Sequence, residues 1–144
     1  DKSIISMEYM DIYCVNKNID LKKFVLSKDA YSYYMMNIVD YLVGNTDRHW
    51  GNWGFLVDNN NNKILKLHDL MDYNKSFTSY DNIEGSKCLT LERNKTQKDA
   101  AIEAVKQIGL NQIKDIDNKI FFDDSIKEMF YKRITLLKEY TKQS

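Results

Sequence analysis

The feature that most constrains this chain is the segment YSYYMMNIVDYLV, residues 31–43, in which polar side chains are few. Large side chains recur there at the spacing of one helical face: Tyr31, Met35, Ile38, Val39 and Leu42. This period predicts a largely buried central helix. Gly44 follows the segment, and glycine is the residue that most often ends a helix. The other elements must therefore cover this helix.

Two short helices are predicted before the central one. Ser6 is a suitable N-cap for a helix over about residues 7–17, whose apolar side chains are Met7, Met10, Ile12, Tyr13 and Cys14. The turn NKNID leads to a second helix around 20–26. Ser27 is then the predicted N-cap of the central helix, with Asp29 in its first turn, where a negative charge is favourable.

The second half of the chain predicts a hairpin and two further helices. WGFLVD and KILKLHD, separated by NNNN, are typical of two short strands around a polar turn, and residues 69–95 have weak periodicity. Thr96 and Asp99 predict the start of a helix that ends at Gly109. Residues 124–141 carry one apolar face: Ile126, Met129, Phe130, Leu137 and Tyr140. We therefore expect one domain over residues 1–144, mainly α with a small β-hairpin (α+β).

Composition excludes several classes of function. Lys plus Arg and Asp plus Glu balance at 21 each, so no net charge favours nucleic acid or an anionic membrane. No apolar run approaches the roughly 20 residues that span a bilayer, and the N-terminal residues do not resemble a signal peptide. Cys14 and Cys88 lie far apart and are expected to be reduced thiols. We expect a cytoplasmic protein.

The segment GNTDRHWGNWGF, residues 44–55, carries the strongest chemical signal. Asp47 and Asn52 are separated by four residues, the spacing that protein kinases use in their catalytic loop. Phosphoryl transfer needs a carboxylate to orient or deprotonate the acceptor hydroxyl and an amide oxygen to hold a metal ion. Asp69 and Asp72, after the hairpin, could supply another oxygen ligand for Mg²⁺.

Each of these residues also has an ordinary structural explanation. Asp47 and Asn52 could be turn residues, His49 could be a core histidine, and Arg48 could pair with an exposed helix end. Trp50 and Trp53 are expected to be packing anchors. The combination of Asp47, Asn52 and Asp72 around a hairpin favours the functional interpretation.

DYLVGNTDRHWGNWGFLVD, followed by LHDLMDYNKSF, resembles the catalytic and metal-binding segments of HipA-like bacterial kinases, whose kinase-like fold is related to that of phosphatidylinositol kinases. The resemblance covers about residues 38–77. It implies a protein-kinase-like C-lobe that uses ATP and Mg²⁺. Asp47 would be the catalytic base, His49 would lie beside the phosphates, Asn52 would bind the metal and cofactor, and Asp72 would be the second metal ligand.

Three departures from that family pattern matter. Asp69 stands where the family usually has proline, which leaves two candidate acids, of which Asp72 keeps the better local match. Arg48 replaces an acid that is common in the family. Only 46 residues precede Asp47, and they contain no glycine before Gly44 that could form a phosphate loop.

The chain is therefore expected to be a C-terminal lobe without its nucleotide-binding N-terminal lobe, inactive or weakly active alone. The missing lobe, from the same full-length chain or a separate partner, would complete it. The acceptor expected for the γ-phosphate is a Ser or Thr hydroxyl of a protein. Two alternatives stay open: a metal-dependent HD-type phosphohydrolase built on His68 and Asp69, and a non-catalytic lobe that binds a partner.

Overall fold

A computed structural model of the protein describes residues 1–69, 77, 80–111 and 123–141. Within these residues the fold is α+β, with four helices and one three-stranded antiparallel sheet. The elements in chain order are β1 (Lys2–Ser6), α1 (Met7–Asn16), α2 (Leu21–Val43), β2 (Trp53–Asp58), β3 (Lys63–Asp69), α3 (Gln97–Ile108) and α4 (Asp124–Thr141). The predicted helices and hairpin are confirmed, but the sheet has one more strand than expected.

The additional strand is β1, which pairs antiparallel with β2, so that the sheet order is β1-β2-β3. Ser6 lies opposite Gly54, and a Cβ added to Gly54 would lie 2.0 Å from the carbonyl oxygen of Ile5. Only glycine lets the two backbones approach this closely. β1 is mostly exposed and has no alternating pattern, which is why its sequence did not indicate a strand.

The central helix α2 is continuous with the short helix predicted before it, and the two halves meet at Asp29. Asp29 has non-helical backbone angles, and its Oδ1 accepts the backbone N–H of Ser32 at 3.1 Å. The prediction that Ser27 caps the central helix is therefore wrong. The Ser27 hydroxyl instead donates to the carbonyl of Phe24 at 2.7 Å, within the preceding turn. The cap is Asp29.

The other predicted helix ends are confirmed. Ser6 accepts the backbone N–H of Tyr9 at 3.3 Å, and Thr96 accepts that of Asp99 at 3.2 Å. Gly44 ends α2 in the left-handed conformation, with φ of 60°. α3 ends at Ile108, and Gly109 follows with φ of 74°. These caps satisfy backbone groups that have no partner inside the helices.

The core forms where α2 packs against α3, α4 and the sheet. Its largest fully buried side chains include Trp53, Tyr33, Tyr41, Phe55 and Phe130. The predicted apolar face of α4 is confirmed, with Phe130 and Leu137 buried and the other three partly buried. Both cysteines are buried free thiols.

The predicted faces of α1 and α2 are wrong in part. Ile12 and Tyr13 on α1 are 56% and 41% exposed, and Tyr31 on α2 is 52% exposed. The apolar side chains of α1 are distributed around the helix, with Glu8 and Asp11 between them, so periodicity could not identify the side that packs. None of the described helices is both long and apolar enough to cross a membrane.

Candidate active site

The candidate site is a loop, residues 44–52, between the end of α2 and the start of β2. Its first residues fold back on the helix: the Gly44 N–H donates to Tyr41 O at 3.2 Å, and the Asn45 N–H donates to Asp40 O at 2.9 Å. Its last residue, Asn52, immediately precedes a strand in the middle of the sheet. The loop is therefore held at both ends by packed elements, as the sequence predicts.

More distant residues bind the last carbonyl groups of α2. The Phe77 N–H donates to Val43 O at 2.8 Å, and the Tyr80 hydroxyl donates to Leu42 O. Helix-terminal carbonyl groups have no partner within their own helix. Phe77 and Tyr80 therefore hold the end of α2, at the base of the loop.

A buried ion pair holds the interior of the loop. Arg48 Nε donates to Asp40 Oδ2 at 2.9 Å and Nη2 donates to Oδ1 at 2.8 Å, while Asn45 Nδ2 donates to the same Oδ1 at 3.1 Å. Asp40 and Arg48 are 4% and 2% exposed. The expectation that Arg48 pairs with an exposed helix end is therefore wrong, because its partner is a buried carboxylate inside the helix.

Asp47, His49 and Asn52 lie together in one tight turn. Asn52 Nδ2 donates to Asp47 O, Asn52 Oδ1 accepts the His49 N–H at 3.1 Å, and the Asn52 N–H donates to His49 O at 3.0 Å. The Asp47 N–H in turn donates to Asn45 Oδ1 at 3.0 Å. The Asn52 side chain thus fixes the loop and keeps one Oδ1 lone pair that could bind a metal ion.

The Asp47 carboxylate has a different environment from the Asp40 carboxylate. In the part of the chain that the structure describes, it accepts no hydrogen bond and forms no ion pair. Asp47 as a whole is half-buried. The loop therefore orders the Asp47 backbone on both sides, while no described residue binds its carboxylate oxygens.

His49 is exposed, so its interpretation as a core histidine is wrong. Its Nδ1 accepts the Gly51 N–H at 3.0 Å. In the neutral imidazole the proton is then on Nε2, which can donate to an anionic oxygen. This arrangement suits the predicted position beside phosphates.

Both tryptophans are packing anchors, as predicted. Trp53 is fully buried next to Tyr33, with the ring centroids 6.1 Å apart. Trp50 Nε1 donates to Thr90 O at 2.9 Å, and the Arg93 guanidinium lies 4.1 Å from the centroid of the Trp50 ring system. Together they fix the loop to the sheet and to the segment before α3.

A polar cluster lies behind the loop. Thr90 Oγ1 donates to Asn37 Oδ1 at 2.8 Å, and Gln97 Nε2 donates to Asn45 O at 2.8 Å. A cavity of about 10 Å³ is lined by Asn37, Thr90 and Gln97 together with Asp40 and Arg48. This volume suits about one water molecule and excludes a nucleotide. The cluster supports the loop and is not itself a ligand pocket.

Of the two acids predicted after the hairpin, Asp69 lies within the described residues and Asp72 does not. Asp69 ends β3 and pairs in register with Trp53, the residue after Asn52. Asp72 lies outside the described residues, and the chain is described again at Phe77, at the base of the loop. Asp69 and Phe77, the described residues on either side of Asp72 in the sequence, each lie next to an end of the candidate loop. The choice of Asp72 over Asp69 stays a prediction.

The described residues contain no group of three or more His, Cys, Asp or Glu side chains that could hold a metal ion. His68 lies in strand β3, opposite Gly54. An HD-type site places its histidine and aspartate on helices, so this position gives no support to the phosphohydrolase alternative.

Sequence reasoning missed two charged residues of this region. Asp40 binds Arg48, and Arg133 of α4 donates to the carbonyl of Tyr41 at the end of α2. Both lie within apolar helix patterns and carry no local signal of their role. Comparisons of the chain with protein-family models, with curated proteins and with solved structures found no match.

Proposed function

We propose that this chain is the catalytic C-lobe of a HipA-like, ATP- and Mg²⁺-dependent kinase. One observation carries the proposal: a single anchored loop holds Asp47, His49 and Asn52 together and leaves the Asp47 carboxylate without an internal partner among the described residues. A half-buried carboxylate on an ordered loop is what a catalytic base requires.

The donor atoms of this loop fit magnesium. Mg²⁺ prefers oxygen ligands and keeps several waters, so the Asn52 Oδ1 lone pair, one carboxylate and phosphate oxygens suffice. We propose Asp72 as that carboxylate. Bound Mg²⁺ would neutralise the charge that develops on the phosphates. The His49 imidazole would donate from Nε2 to a phosphate oxygen.

Asp47 would act on the acceptor hydroxyl. As the hydroxyl oxygen bonds to the γ-phosphorus of ATP, the bond between that phosphorus and the β,γ-bridging oxygen breaks, and the hydroxyl proton moves to the Asp47 carboxylate. We propose a Ser or Thr of a protein as the acceptor. The buried pair of Asp40 and Arg48 keeps a second carboxylate out of this chemistry, because its oxygens are already occupied.

The partner implied by this function is a nucleotide-binding N-lobe. In kinases the N-lobe supplies groups that hold the nucleotide phosphates. We therefore expect the isolated chain to bind ATP weakly and to transfer phosphate poorly or not at all, and the N-lobe to restore both.

The first test is metal binding by the isolated chain, measured by electron paramagnetic resonance of Mn²⁺ as a stand-in for Mg²⁺. We expect weak binding that tightens several-fold when ATP is added. Asn52→Ala and Asp72→Asn should weaken binding in the presence of ATP about tenfold or more. Asn60→Ala and Asp1→Asn are the matched controls, because both residues are exposed and lie at the end of the sheet that is away from the loop.

The second test is phosphoryl transfer from γ-labelled ATP by the lobe joined to its N-lobe. Asp47→Asn should keep Mn²⁺–ATP binding and lower the transfer rate about a hundredfold or more, since a positioned base contributes roughly that factor. Tight iron or manganese binding without ATP that is lost in His68→Ala would instead indicate a phosphohydrolase. A lobe that binds a partner with no metal or ATP binding would indicate the non-catalytic alternative.

A further inference from the structure

Arg133, on α4, is a fully buried cation that pairs with no carboxylate of the described residues. Its side chain is 0% exposed, and no ion pair joins it to any acid in the described ranges. Such a charge is costly to remove from water and persists only where other groups stabilise it. The groups that contact Arg133 therefore indicate the role of its positive charge.

Within the described residues, carbonyl groups and aromatic rings stabilise the Arg133 cation. Arg133 Nη1 donates to Tyr41 O, and Nη2 donates to Asn82 O at 2.7 Å. The guanidinium carbon lies 4.7 Å from the centroid of the Tyr41 ring and 4.2 Å from that of Tyr80. Two rings and two carbonyl oxygens thus hold one planar cation, an arrangement that a lysine ammonium cannot reproduce.

The contact lies at the negative end of the α2 dipole. Tyr41 belongs to the last turn of that helix, where unpaired carbonyl groups favour a positive charge. The two tyrosines extend the contact through their hydroxyl groups, because Tyr41 donates to Ile83 O at 2.7 Å and Tyr80 donates to Leu42 O. Arg133 therefore joins α4, the 80–83 segment and the end of α2.

This junction lies directly beneath the start of the candidate loop. A Cβ added to Gly44 would lie 2.6 Å from Tyr80 Cδ1 and 3.7 Å from Arg133 Nη1. The Gly44 N–H shares the Tyr41 carbonyl with Arg133. A shift of the guanidinium would therefore change the position of Gly44 and, three residues later, of Asp47.

We infer that Arg133 is a positioning residue for the loop that carries Asp47 and Asn52. The inference rests on the proposed function for its catalytic meaning. Arg133 touches neither proposed substrate nor metal, and it acts through the Tyr41 carbonyl and Gly44. This positioning role requires a side chain with a positive charge and two diverging N–H donors.

The test compares Arg133→Lys with Lys132→Met, a change at the adjacent exposed position, whose ion pair with Glu128 lies on the surface. Amide hydrogen exchange is measured for the loop (Asp47, His49 and Asn52) and for the β2–β3 pair. We expect Arg133→Lys to speed loop exchange about tenfold with little change in the sheet, and to weaken Mn²⁺–ATP binding several-fold. Lys132→Met should change neither.

A purely structural role predicts a different result, namely faster exchange in loop and sheet together. If Arg133→Lys does not fold, Tyr80→Leu is compared with Tyr80→Phe: both variants remove the hydroxyl bond to Leu42 O, but only Tyr80→Leu removes the ring that lies against the guanidinium. Loop exchange that is faster in Tyr80→Leu than in Tyr80→Phe, with the sheet unchanged, supports the inference, and equal loop exchange in the two variants overturns it.

The two proposals can fail separately. Wild-type binding of Mn²⁺–ATP that Arg133→Lys leaves unchanged, together with unchanged loop exchange, overturns the positioning role and keeps the kinase function. Loop exchange that responds to Arg133→Lys in a chain whose wild type binds no Mn²⁺–ATP keeps the positioning role and contradicts the kinase function.

Discussion

Two carboxylates of the same region, Asp40 and Asp47, have opposite environments. Asp40 is buried and accepts three hydrogen bonds from Arg48 and Asn45, whereas the Asp47 carboxylate has no such partner in the described ranges. Asp40 therefore fixes the loop, whereas no described residue binds the Asp47 carboxylate, in agreement with its proposed role as catalytic base. This division of roles depends on which of the two carboxylates Arg48 binds.

The buried pair predicts a large loss of stability when one partner is removed. Asp40→Asn should lower the free energy of unfolding by about 3 kcal/mol, because it leaves the Arg48 charge buried without its counter-ion. Urea denaturation at neutral pH measures the change. The control is Glu128→Gln, which removes an exposed pair with Lys132 and should cost less than about 1 kcal/mol. Equal losses for the two variants would contradict this account.

At the scale of single residues, the sequence predicted the candidate loop but not what holds it. Asp47 and Asn52 could be identified because their spacing has a chemical meaning over a few residues. Asp40 pairs with Arg48 across the helix end, and Arg133 lies 92 positions from its carbonyl partner on Tyr41. No local pattern records contacts of that kind.

At the scale of elements, the pairing of β1 with β2 depends on one glycine. A Cβ at Gly54 would lie 2.0 Å from Ile5 O and 2.8 Å from Ser6 Cα, both of them backbone atoms that cannot move aside like a flexible side chain. β1 also leads directly into α1, whose first turn binds the loop through the Glu8 N–H and Trp50 O at 3.0 Å. The strand thus supports the loop indirectly.

We predict that Gly54→Ala separates β1 from the sheet. Amide exchange of the β1 residues that pair with β2 should rise about tenfold or more, whereas the β2–β3 pair should be affected less. Gly109→Ala is the control, because φ at Gly109 is 74° and a Cβ there would have nothing within 4 Å. That control should cost stability through backbone strain without a specific effect on β1.

Local capping signals predicted most helix ends, but two element-scale features were missed. Both Ser27 and Asp29 are good N-caps, and tertiary contact decided between them: Asp29 Oδ2 accepts the Leu67 N–H of β3 at 3.0 Å. β1 was missed because a short, exposed strand has little pattern of its own and is defined by its partner. Local sequence patterns do not show that Asp29 contacts β3 or that β1 pairs with β2.

At the scale of the whole molecule, buried tyrosines link the fold to pH. Burial raises the pKa of Tyr41 to about 12, and burial also raises the pKa values of Tyr80 and Tyr33. In the unfolded chain, tyrosine titrates near pH 10. The folded state therefore retains protons that the unfolded state releases, and its stability must fall as pH rises from about 10 to 12.

The measurement is the free energy of unfolding against pH, together with tyrosinate absorbance. We expect full stability below about pH 10 and a steep loss above it. Tyr41→Phe should lower stability at neutral pH, since it removes the hydrogen bond to Ile83 O, and should make the loss above pH 10 less steep. An unchanged slope in Tyr41→Phe would exclude a contribution from this residue.

The α+β class of the whole molecule followed from periodicity and turn residues, which report local preference well. The arrangement of the elements did not, because it depends on contacts between distant segments such as α2 with α3 and β1 with β2. The polar groups that determine this arrangement, Asp29, Asp40 and Arg133, all lie in segments that otherwise indicate plain helix.

The pairing of β1 with β2 also has a consequence for the order of folding. The β2–β3 hairpin closes through a short turn, so it can form early, whereas β1 must wait until α1 and α2 bring Ser6 back to Gly54. The central strand β2 would then pair first with β3, which is close in sequence, and later with β1, which is distant in sequence. We expect β1 to dock last during refolding and to detach first during unfolding.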